Sequence, residues 1–200
     1  MVEVTSPSSE EPKKPVSSNE FWQERIYNTI AKGGMLHEII YQNSYEVWEY
    51  AQGYTSLILQ DDIPPGSKIL DAGCGYGALL CCIEQVTNRV GIEYEYTGVD
   101  NSPDLIRLAK ARYPGKNFIC WNLNHLPFMD REFDYCVCRS MRQMIRGNLG
   151  EEAWKSIQTE LERVSKYLLI TEYPQRLKEH IPVEIINCET GEKIPSKRKP

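Results

Sequence analysis

Asp71, Gly73, Gly75, Gly77 and Asp100 are the residues whose types and spacing could do chemistry. The three glycines alternate in Asp71-Ala-Gly-Cys-Gly-Tyr-Gly77, directly after the apolar pair Ile69-Leu70. Glycine takes positive φ and has no Cβ, so such a turn lets a ligand touch the backbone. An apolar, helix-compatible run follows, and a helix N-terminus points its N–H groups at whatever the turn holds. Asp100 ends a second apolar run, where an acid can accept hydrogen bonds from two vicinal ribose hydroxyls. Together these residues suit a nucleotide or nucleoside. Taken alone, Gly73-x-Gly75-x-x-Ala78 also meets a loose dinucleotide fingerprint, so the turn by itself does not choose between ligands.

The elements that must position these residues follow from pattern. A strand is expected over 68–71 and a helix over 78–85, then a strand over 96–100. Ser102-Pro-Asp104 is a helix start with a cap, proline in the first turn and an acid facing the helix dipole. Its helix runs to about Arg112, before Pro114-Gly115. Strands are expected over 117–121, 133–138 and 167–171. An amphipathic helix over 151–164 carries Trp154, Ile157, Leu161 and Val164 on one face. Short apolar strands alternating with helices predict a Rossmann-like α/β fold of three layers around a mainly parallel sheet. Its ligand belongs at the carboxyl ends of the strands, near the topological switch point.

The flanks differ from this centre. Residues 1–19 are rich in Ser, Pro, Glu and Lys and predict a disordered tail. Residues 20–64 predict a helical cover, with one helix around 21–30, a break at Gly33-Gly34 and another helix from the N-cap candidate Ser44. The alternating strands and helices form one domain over residues 65–190, and 191–200 form a basic tail. Val183 to Asn187 with the Thr190-Gly191 turn signal predicts a short strand or hairpin before the chain frays.

Two hundred residues with a formal net charge of −5 fit one domain and argue against a broad phosphate-binding surface. The chain lacks an apolar run of the ~20 residues that a spanning helix needs and a basic-then-apolar leader pattern. A soluble, cytoplasmic protein without membrane partners is the expectation. The seven cysteines lack zinc-finger spacing and are expected to be reduced, small hydrophobes, with no metal site. Cys74 is a small turn residue rather than a nucleophile.

The Asp71–Gly77 segment resembles motif I of the class I S-adenosylmethionine-dependent methyltransferases, an acid and one residue followed by Gly-x-Gly-x-Gly. Tyr96-Thr-Gly-Val-Asp100-Asn-Ser resembles that family's second-strand segment. Asn122-Leu-Asn-His-Leu-Pro-Phe128, with Phe133-Asp134 after it, is similar to its third-strand loop and fourth strand. The resemblance covers about residues 65–175. It implies S-adenosylmethionine as cofactor, with the backbone of Gly73, Cys74, Gly75, Tyr76 and Gly77 against the methionine part. Asp71 would help anchor the amino group, Asp100 would hold the ribose and Asn101 would flank the adenosine. Asn122 would meet the adenine amino group and the Leu123 N–H a ring nitrogen. Arg139, just past the fourth strand, would sit near the methionine end or the substrate. Many relatives carry Asp where this chain has Asn122, whose side-chain oxygen can still accept from adenine. The fuller family fold has seven strands, and only about 25 residues follow the fifth strand here, so a reduced C-terminal end is expected.

In-line methyl transfer asks the protein for alignment and water exclusion, with a base only where the nucleophile must lose a proton. His37 and Glu172 are the catalytic candidates: His37 as a base or cofactor-carboxylate partner in the cover, Glu172 as a substrate contact after the fifth strand. Tyr41, Tyr45, Trp48 and Tyr54 either shield the sulfonium or simply pack the core. Arg142 and Arg146 could bind an acidic group or be exposed arginines, His125 sits in the adenine loop, and Asp130-Arg131-Glu132 is a solvated turn. The motif after the fourth strand, Arg139-Ser-Met-Arg142, lacks the Pro-Pro-aromatic signature of DNA amino-methyltransferases, and a Pro-Cys nucleophile is absent. DNA is therefore disfavoured; a small-molecule acceptor is expected, with protein or RNA behind it. Two other readings stay open: a non-catalytic cofactor-binding regulatory subunit and a nicotinamide-dependent oxidoreductase.

Overall fold

The computed structural model describes residues 45–172 and 181–197, with side chains from Glu49 onward. The expected tail over 1–19, the helix around 21–30, His37 and Tyr41 lie outside the described residues. Helix α1 (Tyr45–Asp62) leads into β1 (Lys68–Ala72), α2 (Ala78–Val90), β2 (Glu95–Asp100), α3 (Pro103–Arg112) and β3 (Asn117–Cys120). Then come β4 (Phe133–Arg139), α4 (Met141–Leu149), α5 (Glu151–Val164), β5 (Ser165–Thr171), β6 (Val183–Asn187) and β7 (Lys193–Ile194).

The strands form one sheet in the order β3-β2-β1-β4-β5-β6-β7. The pairs from β3 to β5 are parallel, whereas β6 and β7 join antiparallel. The chain winds outward from β1 to β3 and then returns to β4 on the other side of β1. Adjacent crossovers thus diverge at β1 and β4, which is the switch point where such sheets bind ligands. All seven strands are present, so the expected C-terminal reduction takes another form. The hairpin is short, β7 is two residues long, and it falls inside the stretch expected to be tail. Gly191, at φ +72, donates its N–H to the Asn187 carbonyl and turns the chain between β6 and β7.

Period-two alternation sends neighbouring strand residues to opposite faces. Ile69, Val137, Leu169 and Ile185 join Ile58, Leu79, Ile83 and Phe118 on the face covered by α1, α2 and α3. Leu70, Cys136, Leu168 and Ile186 join Ile145, Trp154, Ile157 and Leu161 under α4 and α5. All seven cysteines are free, and Cys74, Cys82, Cys136 and Cys138 are buried as small hydrophobes.

Two polar contacts tie distant parts of this frame together. Arg131, expected in a solvated turn, instead donates to the carbonyls of Glu162, Ser165 and Cys188. It clasps the turn before β4 to the end of α5 and to the hairpin. Asp62, in the last turn of α1, accepts from Ser196 Oγ at 2.5 Å and from the Lys197 N–H at 2.7 Å.

Candidate active site

The glycine turn is laced to the end of β2. The N–H groups of Gly73 and Cys74 both donate to the Val99 carbonyl, at 2.8 and 3.0 Å, and the Gly77 N–H donates to the Cys74 carbonyl. Gly73, Gly75 and Gly77 have φ of +71°, +54° and +87°. Two of them also have no room for a side chain. A Cβ on Gly73 would lie 1.9 Å from Met141 Sδ, and one on Gly77 would lie 2.8 Å from the Tyr113 ring. At Gly75 a Cβ would meet nothing within 4 Å. The middle of the turn therefore offers bare backbone with open space over it.

Asp100 closes one end of this cradle. Its Oδ2 accepts from the Gly75 N–H at 3.0 Å and its Oδ1 from the Ser102 N–H at 2.9 Å. Burial raises its pKa, and these backbone donors pull the other way. The carboxylate keeps acceptor capacity beyond these backbone donors, as a pair of vicinal hydroxyls requires. Asn101 follows at the mouth, half-buried, and Ser102 caps α3 by accepting from the Leu105 N–H.

Asp71, Arg139 and Gln52 form the other end. Asp71 is buried in β1, its Oδ2 accepts from the Tyr96 hydroxyl at 2.8 Å, and burial pushes its pKa up to about 7 against the opposing pull of Tyr96 and Arg139. Arg139 is the last residue of β4 rather than a residue past it. It is buried, and its Nη2 donates to Gln52 Oε1 at 3.2 Å. Gln52, from α1, also accepts from Cys82 Sγ at 2.6 Å. Gln52 Nε2 is buried with no acceptor among the described residues. A buried acid, a buried guanidinium and a buried unsatisfied amide donor make a set that complements a zwitterion: an ammonium toward Asp71, a carboxylate toward Arg139 and Gln52.

The remaining expected residues fall around this core. Cys74 is buried, and desolvation beside Asp71 and Asp100 raises its thiol well above the ordinary range, so it stays protonated. Tyr76 is buried, with the Arg112 guanidinium 5.6 Å from its ring centre. Asn122 is exposed, and its Oδ1 accepts from the Asn124 N–H at 2.9 Å, closing a local turn around Leu123, whose side chain is buried in the core on the α4–α5 face. His125 is exposed in the same loop.

Glu172 is buried just past β5, where the Ser140 N–H donates to the Thr171 carbonyl at 2.8 Å. Its Oε1 accepts from Arg142 Nε at 2.8 Å, and Oε2 is buried with no partner among the described residues. Desolvation raises its pKa and Arg142 opposes that. Arg142 also pairs with Glu184 of β6 at 3.0 Å and so serves internal ion pairs, whereas Arg146 is an exposed arginine that pairs with the exposed Glu151 at the surface. Among the described residues no group of three or more His, Cys, Asp or Glu is arranged to hold a metal ion.

Sequence reasoning missed Gln52. Its one signal is an uncharged polar residue on the buried side of α1, between Ala51 and Thr55.

Residues 69–166 match the family model described as a methyltransferase domain. The match begins at Ile69, before the glycine turn, and ends within β5. This segment is a methyltransferase domain of the class I S-adenosylmethionine-dependent type. A Mycobacterium tuberculosis protein named for methyltransferase activity is 34% identical over 101 residues, which is 49% of this chain and 55% of that one. This chain thus spans about half the length of that curated relative. Among solved structures, the cyclase SpnF matches with a TM-score of 0.57 at 22% identity, over 80% of this chain and 61% of that one. Magnesium protoporphyrin IX methyltransferase from Synechocystis matches at 0.54 and 17% identity, over 81% of this chain and 75% of that one. At such identities these two structures speak to the fold. They show that one α/β frame serves proteins named for different reactions. S-adenosylmethionine is the cofactor of the family, and the zwitterion-complementary set beside the glycine turn fits its methionine part. No described helix is long and apolar enough to cross a membrane.

Proposed function

We propose that this chain transfers a methyl group from S-adenosylmethionine to a small-molecule acceptor in the cytoplasm. The observation that carries the reading is the pairing of Asp71 with the buried Arg139–Gln52 unit beside an open, glycine-lined turn. Bound S-adenosylmethionine supplies a methyl already activated on a sulfonium. The protein's part is to hold, orient and exclude water.

Asp71 receives the ammonium of the methionine part, and Arg139 with Gln52 receives its carboxylate. The backbone of Gly73, Cys74, Gly75, Tyr76 and Gly77 lies along that part, and Asp100 accepts from the ribose. Asn101 flanks the adenosine, while Asn122 and the Leu123 N–H meet the adenine. Helix α1, which carries Gln52, is part of the cover of the site. On the acceptor side, Glu172 offers its unfilled Oε2 to a hydroxyl or amine of the substrate, and His37 is the proposed second group there. An acceptor larger than a metabolite, a protein or RNA, is the less favoured case.

Calorimetric titration with S-adenosylhomocysteine and with NADH tests the cofactor reading. Binding of the first and not the second is expected, and the reverse would refute it. Transfer of labelled methyl into the small-molecule fraction of a cell extract is expected. Label confined to protein or RNA would move the acceptor to that class, and no transfer despite binding would favour a cofactor-binding regulatory role.

A further inference from the structure

Tyr96 and Gly98 lie two residues apart on β2, so their side-chain positions share one face of the sheet. In the β1–β2 register Gly98 stands opposite Asp71. The Tyr96 hydroxyl reaches Asp71 Oδ2 at 2.8 Å, and a Cβ on Gly98 would come within 2.7 Å of that hydroxyl. The phenol thus lies along the strand in the space that Gly98 leaves. Phe118 of β3 meets the Tyr96 ring edge-on, with centroids 5.5 Å apart. The ring packs as a hydrophobe, while its hydroxyl makes a polar contact to the acid of the glycine motif.

We propose that Tyr96 is a positioning residue of the cofactor site: through the gap at Gly98 its hydroxyl fixes the Asp71 carboxylate and keeps it charged for the cofactor's ammonium. The cofactor half of this proposal rests on the reading of Asp71 given above.

The physical reason is competition over a buried charge. Desolvation favours the neutral acid, and a hydrogen bond to the carboxylate favours the ionised one. Arg139 of β4 acts with Tyr96, and Asp100 of β2 acts against it. The other titratable groups around Asp71 are thiols: Cys74 in the turn, Cys82 on α2, and Cys136 and Cys138 on β4. Burial raises all four, so they are neutral around pH 7 and leave the balance to Tyr96, Arg139 and Asp100. Tyr96 is itself raised well above its ordinary value and stays a donor. With Asp71 near 7, loss of one donor moves it from half-ionised toward neutral at physiological pH.

The test compares the wild-type chain with Tyr96→Phe, which keeps the ring, and Gly98→Ala, which keeps the tyrosine and crowds its hydroxyl. Carbon-13 NMR of the aspartate carboxyls, assigned with Asp71→Asn, reads the Asp71 midpoint. Calorimetry reads S-adenosylhomocysteine affinity from pH 6 to 8.5. In both variants the midpoint is expected to rise. A rise of one pH unit costs up to about tenfold in affinity on the acid side, and the deficit shrinks toward pH 8.5. An unmoved midpoint in both variants overturns the proposal. A raised midpoint with unchanged affinity at every pH overturns its cofactor half. Should Asp71→Asn bind as tightly as wild type, the anchoring role of Asp71 fails, a result distinct from an unmoved midpoint.

Discussion

Gly73→Ala should damage the domain by a mechanism that a second substitution can partly reverse. The new Cβ would lie 1.9 Å from Met141 Sδ and 2.9 Å from its Cγ. Ordinary contact needs ~3.5–4.0 Å, so Met141 must leave its rotamer at the head of α4. Overpacking of that kind costs about 1–3 kcal/mol. A non-glycine residue held at φ +71 adds roughly 1–2 kcal/mol. The single variant should therefore lose about 2–5 kcal/mol. Met141→Ala alone removes a buried side chain and costs about 2–5 kcal/mol. In the double variant the alanine methyl enters space that the methionine has vacated, so the steric part is relieved. Denaturant unfolding of all four proteins should show the double variant more stable than the sum of the singles by about 1–3 kcal/mol. S-adenosylhomocysteine affinity should fall in Gly73→Ala and partly return in the double variant. Strict additivity in the unfolding data would refute the steric argument.

Three further outcomes follow from the site. Gln52→Leu removes the oxygen that accepts from Arg139; a hydrogen bond to a charged group is worth about 1.5–3 kcal/mol, so S-adenosylhomocysteine should bind roughly tenfold or more weakly, with adenosine, which lacks the methionine part, little changed in calorimetry. Asp100→Asn places an NH2 against one of two backbone donors and should weaken both ligands, with about 1–3 kcal/mol lost in unfolding. Arg142→Met strands the buried Glu172 carboxylate and should cost about 3 kcal/mol at pH 8. Glu172 already has a raised pKa, and Arg142 is what opposes the rise. Without Arg142 the folded acid takes up a proton more readily than the unfolded one, so the deficit should shrink as pH falls toward 5 in denaturant unfolding.

What was legible in the sequence was local. The start of α3 at Ser102-Pro103 and its end at Arg112 stand where capping chemistry put them, because the stop and start signals lie within the helix's own neighbours. The glycine turn and the acids beside it were legible for the same reason. Helix α4 was not expected. Ser140 precedes it at φ +55 with no side-chain cap, although Met141, Met144 and Ile145 have helical spacing. Contacts that join distant segments were invisible to periodicity. Arg131 reads as a solvated turn residue from its charged neighbours, yet it is a clasp on α5 and the hairpin. Arg139 was placed near the methionine end from resemblance, yet its partner Gln52 comes from a helix with no motif of its own.

The fastening of Asp62 to Ser196 and Lys197 makes helix α1 and the stretch after the hairpin mechanically one object. Helix α1 brings Gln52 to the cofactor end of the site, and the same helix's last turn grips the chain as it leaves the hairpin. Strain at the outer edge of the sheet therefore has a short route to the guanidinium that Gln52 steadies. A peptide or tag fused close after Lys197 would pull on a helix far away in sequence, and its effect should be sought at the cofactor rather than at the edge strand.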